Sequence, residues 1–114
     1  MYDKDLAEFV KSFFTNNYQG FLELRLYGSR TTGTYRESSD HDFYAIFSDN
    51  AAEGMDIGRL ESMQALEELR RAVRQREFLN PKVDVHISKL STFQRLSADN
   101  ETHAYQAFHN GVIV

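Results

Sequence analysis

The stretch that decides the fold is Leu22-Glu23-Leu24-Arg25-Leu26-Tyr27-Gly28-Ser29, ten further residues, then Asp40-His41-Asp42-Phe43-Tyr44-Ala45-Ile46-Phe47. Its first six residues alternate with period two, the mark of a strand with one buried face, and the pattern puts Leu22, Leu24 and Leu26 on that face. Gly28-Ser29 ends the run with turn-forming residues. The residues after Asp42 are aromatic and branched, which predicts a second, core strand. Neighbouring side chains on a strand point to opposite faces, so Asp40 and Asp42, separated by one residue, project together.

Two carboxylates on one face repel each other by about 4 kcal/mol at ~4 Å and an effective dielectric of ~20. Protonation of one of them, or a bridging cation, relieves the strain. All-oxygen donors suit a hard cation such as Mg²⁺ or Mn²⁺, and Mg²⁺ commonly takes one or two carboxylates together with substrate phosphates. Gly28 lets backbone approach a ligand closely, Ser29 adds a hydroxyl, and a small turn with N–H groups facing outward can hold phosphate oxygens. A phosphate grip beside metal-binding carboxylates is the minimum equipment for phosphoryl or nucleotidyl transfer.

The joint pattern of Leu26-Tyr27-Gly28-Ser29, ten residues, and Asp40-His41-Asp42-Phe43 resembles the signature of the polymerase-β-type nucleotidyltransferases. It is most similar to the minimal nucleotidyltransferases, which are small stand-alone domains. That family places a third carboxylate on a later strand, and Asp84 stands in the alternating run Val83-Asp84-Val85-His86-Ile87. The resemblance spans residues 20–88 and implies an α/β (α+β) fold, a small mixed β-sheet with helices packed on one face. It implies catalytic and metal-binding roles for Asp40, Asp42 and Asp84, with Mg²⁺ or Mn²⁺ as cofactor. It implies nucleotide-binding roles for Gly28, Ser29, Arg30 and Ser39. The donor would be an NTP, ATP first, giving its NMP to a hydroxyl of a protein or other acceptor. In a toxin–antitoxin setting the partner is a helical HEPN-type toxin. A second copy of the chain, a phage-type orphan enzyme, and a non-catalytic module that blocks a partner by contact are the other readings. Many members carry an Arg where Thr32 stands here, which shifts the expected phosphate clamp to Arg30 or Arg36.

The rest of the chain fits one domain over residues 1–114, long enough for a single core. With 41% apolar and 13% aromatic residues the chain is globular rather than disordered. A net charge of -4 argues against broad nucleic-acid binding. The absence of Cys excludes a disulfide framework and thiolate metal sites. No run reaches membrane-spanning length and no signal-peptide pattern opens the chain, so the cytoplasm is the expected compartment.

Helical spacing predicts helices over 3–16, 57–78, 91–96 and 101–109. The first buries Leu6, Phe9, Val10, Phe13 and Phe14. The second buries Leu60, Met63, Leu66, Leu69 and Val73, and its Arg70, Arg71, Arg74 and Arg76 read as a solvated face paired with Glu67 and Glu68. The run at 82–87 sends Val83, Val85 and Ile87 inward, and Asp84 and His86 to the other face; His86 reads as a structural or surface histidine. The polar arm 31–39 is expected to curl over nucleotide phosphates. Ser39 reads either as a donor to a carboxylate or as the start of the strand. Val112-Ile113-Val114 forms an edge strand, packs on the core, or serves as a contact surface.

Overall fold

The computed structural model describes residues 3–33, 36 and 39–114, Thr32 by its backbone alone. Four strands form one sheet in the order β3-β2-β1-β4. They are β1 (Phe21–Tyr27), β2 (His41–Phe47), β3 (Val83–Lys89) and β4 (Val112–Ile113). β2 runs antiparallel to β1 and parallel to β3, and β4 adds to the far edge of β1 in antiparallel sense. The sheet is therefore mixed, as expected. The C-terminal apolar run takes the edge-strand option, extended by the bond from Val114 N–H to the Leu24 carbonyl at 2.9 Å.

The helices are α1 (Lys4–Asn17), the single turn α2 (Ser29–Thr32), α3 (Leu60–Gln75), α4 (Leu90–Leu96) and α5 (His103–His109). Asp3 caps α1 by accepting from the Leu6 N–H at 3.1 Å, and Leu6, Val10 and Phe14 form its buried stripe. α1 and α3 cover one face, over Leu24, Leu26, Phe43, Ala45, Phe47, Val83, Val85 and Ile87. Burying each such Leu, Val or Phe contributes about 1.5–3 kcal/mol. The opposite face is not bare. Phe93 of α4 and Ala104 and Ala107 of α5 close over Tyr27, Tyr44 and Ile46 in a smaller cluster. The expectation of helices on one face thus holds for the long pair, and the short helices lie on the other side. Among the described residues, no helix is long and apolar enough to cross a membrane.

Three expected core residues fall outside it for local reasons. Leu22 is 54% exposed, because the β1–β2 register shifts between Phe21 and Glu23 and the bulge re-aims it. Phe21 takes its place against Phe14 and Phe47, at ring distances of 5.6 Å from each. In α3, Leu60 and Met63 are 68% and 64% exposed, while Ser62, Ala65, Leu69 and Val73 point inward. Ser62 holds the inward position because its hydroxyl lies 2.7 Å from the Gly54 carbonyl and 2.8 Å from that of Asp56. Asp56 in turn accepts from the N–H of Ile57 and of Lys89 and from the Thr92 hydroxyl. These bonds keep 56–59 out of the helix, which starts three residues later than its periodicity predicts.

Candidate active site

The site is built where three strands place polar residues side by side. Tyr27 of β1 is the cross-strand partner of Asp42 of β2, and Asp42 is the partner of Asp84 of β3. Direct partners on adjacent strands have their Cβ atoms ~5 Å apart. The two carboxylates thus meet on the face away from α1 and α3. Asp40 lies just before β2 and is exposed. Burial raises the Asp42 carboxyl above its ordinary range, and the charges of Asp84 and then Asp40 push the same way, against a smaller opposing pull from His103. This is the like-charge repulsion that the sequence spacing predicts, but its main pair is Asp42 with Asp84.

Gly28 follows β1 with φ +80°, a region that side-chain-bearing residues rarely adopt. A Cβ there would lie 2.5 Å from Oδ2 of Asp42. The position therefore needs glycine twice, for its backbone and for the room it leaves the carboxylate. Ser29 and Arg30 open α2, held by the Thr31 N–H and hydroxyl donating to the Gly28 carbonyl at 3.1 and 2.9 Å. The expected turn is thus one helical turn, closed by Gly33 at φ +81°.

Arg30 is buried, and its Nη2 donates to the Ser39 carbonyl at 3.0 Å. It ties the two ends of the arm together. The Ser39 carbonyl also accepts from Asn80 Nδ2 at 2.9 Å, and the Ser39 Oγ accepts from the Arg36 N–H at 2.8 Å. Ser39 thus braces the arm. Residues 34–35 and 37–38, and with them most of the arm expected over the phosphates, lie outside the described residues, as does the Thr32 side chain.

β2 is anchored just above the carboxylates. The His41 N–H donates to the Lys82 carbonyl at 2.9 Å, and Nδ1 lies 3.2 Å from the same oxygen. Burial lowers the pKa of this imidazole, so the neutral ring carries its proton on Nδ1 to make that bond.

Three residues of the site escaped the sequence reading. The Tyr27 hydroxyl sits between two imidazoles, 3.0 Å from Nδ1 of His86 and 3.0 Å from Nδ1 of His103. The two rings stack at 3.9 Å. One Nδ1 accepts the phenol proton and the other donates to the phenol oxygen. Burial holds the phenol well above its usual pKa, helped by the charges of Asp42 and Asp84, so it stays neutral. Burial lowers His86, the His103 ring lowers it further, and Asp84 opposes both. Tyr27 follows from the strand alternation, but His103 reaches the site only through the docking of α5. The third is Arg70, whose Nη2 lies 3.5 Å from Asp84 Oδ1 and whose Nε donates to the Val83 carbonyl at 3.3 Å. It lay in a charge run that sequence assigns to solvent.

Among the described residues, no group of three or more His, Asp or Glu side chains is gathered closely enough to hold a metal ion. The all-oxygen pair of Asp42 and Asp84, with Asp40 beside it, fits the smaller demand of Mg²⁺ or Mn²⁺, which take one or two carboxylates with substrate phosphates. The cross-strand pairing of Asp42 with Asp84 is the observation behind that fit, since a cation relieves the repulsion between them. A cleft of about 510 Å³ lies at the opposite end of β1 and β2, around Gly20, Ser48 and Met55. It is a strand length, roughly 20 Å, from the carboxylates.

The family model of the nucleotidyltransferase domain matches residues 4–109. Among solved structures, the fold is similar to one described as the crystal structure of the toxin-antitoxin with AMP-PNP. The TM-score is 0.54 at 15% identity, covering 93% of this chain and 69% of that one. No curated protein matches.

Proposed function

The chain belongs to the nucleotidyltransferase domain family, and on that premise we propose that it transfers a nucleoside monophosphate from a nucleoside triphosphate, ATP first, to a hydroxyl of a protein acceptor. The observation that carries the reading is the pairing of Asp42 with Asp84 across β2 and β3, with Gly28 pressed against Asp42. Asp40, Asp42 and Asp84 would hold Mg²⁺ or Mn²⁺, which would neutralise triphosphate charge and make the attacking hydroxyl more acidic. The backbone of Gly28 and Ser29 receives phosphate oxygens on the β1 side, with Arg30 and Ser39 bracing the arm above. Asp84, on the β3 side, takes the hydroxyl proton. The hydroxyl oxygen bonds to the α-phosphorus, the bond to the bridging oxygen breaks, and pyrophosphate leaves. The toxin–antitoxin neighbour with AMP-PNP supports an adenine nucleotide as donor and a toxin as the partner that carries the acceptor.

The test is a thermal-shift measurement beside a labelled-NMP transfer assay. Mg·ATP at 100 times its dissociation constant should stabilise the fold by about 2.7 kcal/mol, and ATP with chelator should do so far less. Asp84→Asn should keep most Mg·ATP binding and lose transfer. Transfer at the wild-type rate in Asp84→Asn removes the third carboxylate from the mechanism. If Asn at 40, 42 and 84 each leaves a partner-blocking effect intact, the contact-only module takes the place of the enzyme.

A further inference from the structure

A cleft of about 300 Å³ lies beside Asp40, lined by that residue with Arg70, Arg74, Pro81, Lys82 and Val83. The strand order fixes which side it serves. Gly28 and Ser29 lie beyond Asp42 on the β1 side, whereas this cleft lies at the β3 side, where Asp84 stands. If the triphosphate rests against Gly28 and Ser29, the side left for the incoming hydroxyl is that of Asp84, which Arg70 ties to the cleft through its Nη2 at 3.5 Å from Oδ1. The inference rests on the transfer reading above and deepens it.

Among the described residues, the lining brings Arg70, which also faces Asp84, together with Arg74 and Lys82 beside Asp40, in a chain whose net charge is -4. Arg70 and Arg74 are one turn apart on α3 and share a face. Arg70 stands between the cleft and Asp84, fixed by its bond to the Val83 carbonyl. The Lys82 backbone is held at both ends. Its N–H donates to Asn80 Oδ1 at 3.0 Å and its carbonyl accepts from the His41 N–H at 2.9 Å. Guanidinium groups match carboxylates in a fork of two bonds. We propose that this cleft binds an acidic residue flanking the acceptor hydroxyl, so that the acceptor is a protein segment with a carboxylate beside its Tyr, Ser or Thr. A nucleic-acid acceptor would call for a basic stripe along successive phosphates. Here the cations converge on one pocket of side-chain size in an acidic protein.

The full chain is assayed with labelled ATP and Mg²⁺ on synthetic peptides bearing one Tyr, Ser or Thr flanked by Glu, Ala or Lys, and on single-stranded DNA and RNA oligonucleotides. Glu-flanked peptides should be labelled about tenfold faster than Ala-flanked ones, and Lys-flanked ones slowest. Arg74→Gln should erase the preference. The pair Arg74→Glu and Lys82→Glu should turn it toward Lys-flanked peptides, with the Mg·ATP thermal shift kept. Equal labelling of all peptides, an unchanged order in the charge-reversed variant, or labelling of oligonucleotides alone overturns the proposal. Labelling of no acceptor while Mg·ATP still raises the melting temperature overturns the acceptor assignment and leaves nucleotide binding standing. Absence of any Mg·ATP shift in the wild-type chain overturns both readings.

Discussion

The two faces of the sheet are made by the same strands and differ in almost everything else. On one, Phe43, Ala45 and Phe47 of β2 and Val83, Val85 and Ile87 of β3 are sealed beneath two long helices. On the other, the alternate positions carry Asp42, Tyr44, Asp84 and His86, and two seven-residue helices cover only part of it. Tyr44 is fully buried there, its hydroxyl bonded to Ser88 at 2.9 Å, while Asp42 and Asp84 at the uncovered end keep access to solvent. Alternation supplies two kinds of face, and the length of the covering helix decides where a core ends and a site begins. The sealed face is under packing constraint and the open end under electrostatic constraint, so they should fail differently.

The largest contrast is between Phe47→Ala and Asp42→Asn. Phe47 is fully buried, with its ring 6.0 Å from Phe14, and its truncation should cost about 3–5 kcal/mol in urea unfolding. That is a large part of the about 5–15 kcal/mol that holds a typical domain together. Asp42→Asn should cut NMP transfer by at least about 10²-fold with no loss of stability. The folded Asp42 carboxyl titrates above its ordinary 3.8, so folding favours the protonated form. Stability is highest below that range and is lost as pH rises through the raised value. The Asn variant lacks this loss and should melt at or above the wild-type temperature at pH 7 without added cation. A melt clearly below wild type would mean that Asp42 is structural.

Gly28→Ala and Gly33→Ala sharpen the comparison within one turn of chain. Both sites have φ near +80°, but an added Cβ at Gly33 meets nothing within 4 Å among the described residues, whereas at Gly28 it meets the Asp42 carboxylate. The first variant should lose about 1–3 kcal/mol and much of its nucleotide affinity by calorimetry. The second should lose about 1 kcal/mol and none of it. Equal affinities would separate Gly28 from the site.

Tyr27→Phe removes the hydroxyl shared by His86 and His103 and should cost about 0.5–1.5 kcal/mol. The His86 imidazole titration followed by NMR should move, and an unchanged curve would dissolve the cluster. The smallest effect is on the sealed side. Burial, with the bond to Glu68 at 2.8 Å, pushes the Tyr18 phenol up to about 12. Its stabilising contribution is present below pH 10 and is lost as pH rises through about 12. Ultraviolet titration of Tyr18→Phe against wild type should show one high-titrating phenol missing.

Sequence alone determined the strands that carry the chemistry. A period-two pattern is local, so Leu24 and Leu26, the pairing of apolar with polar positions in β2, and Asp84 opposite Val83 and Val85 could be read without a fold. The same holds for α1, where Asp3 and the stripe of Leu6, Val10 and Phe14 speak for themselves. What only the tertiary structure decided depends on distant segments meeting. The bulge that turns Leu22 outward comes from register with β2. Ser62 displaces Leu60 and Met63 from the core because the 54–56 loop offers it carbonyls. Arg30 and Ser39 brace the arm because the chain brings them together across nine positions, and Arg70 reaches Asp84 because α3 lies along β3. His103 has no sequence signal at all: it enters the site because α5 docks on the face opposite the long helices, and a docking angle is set by packing between surfaces, which no single stretch of chain contains.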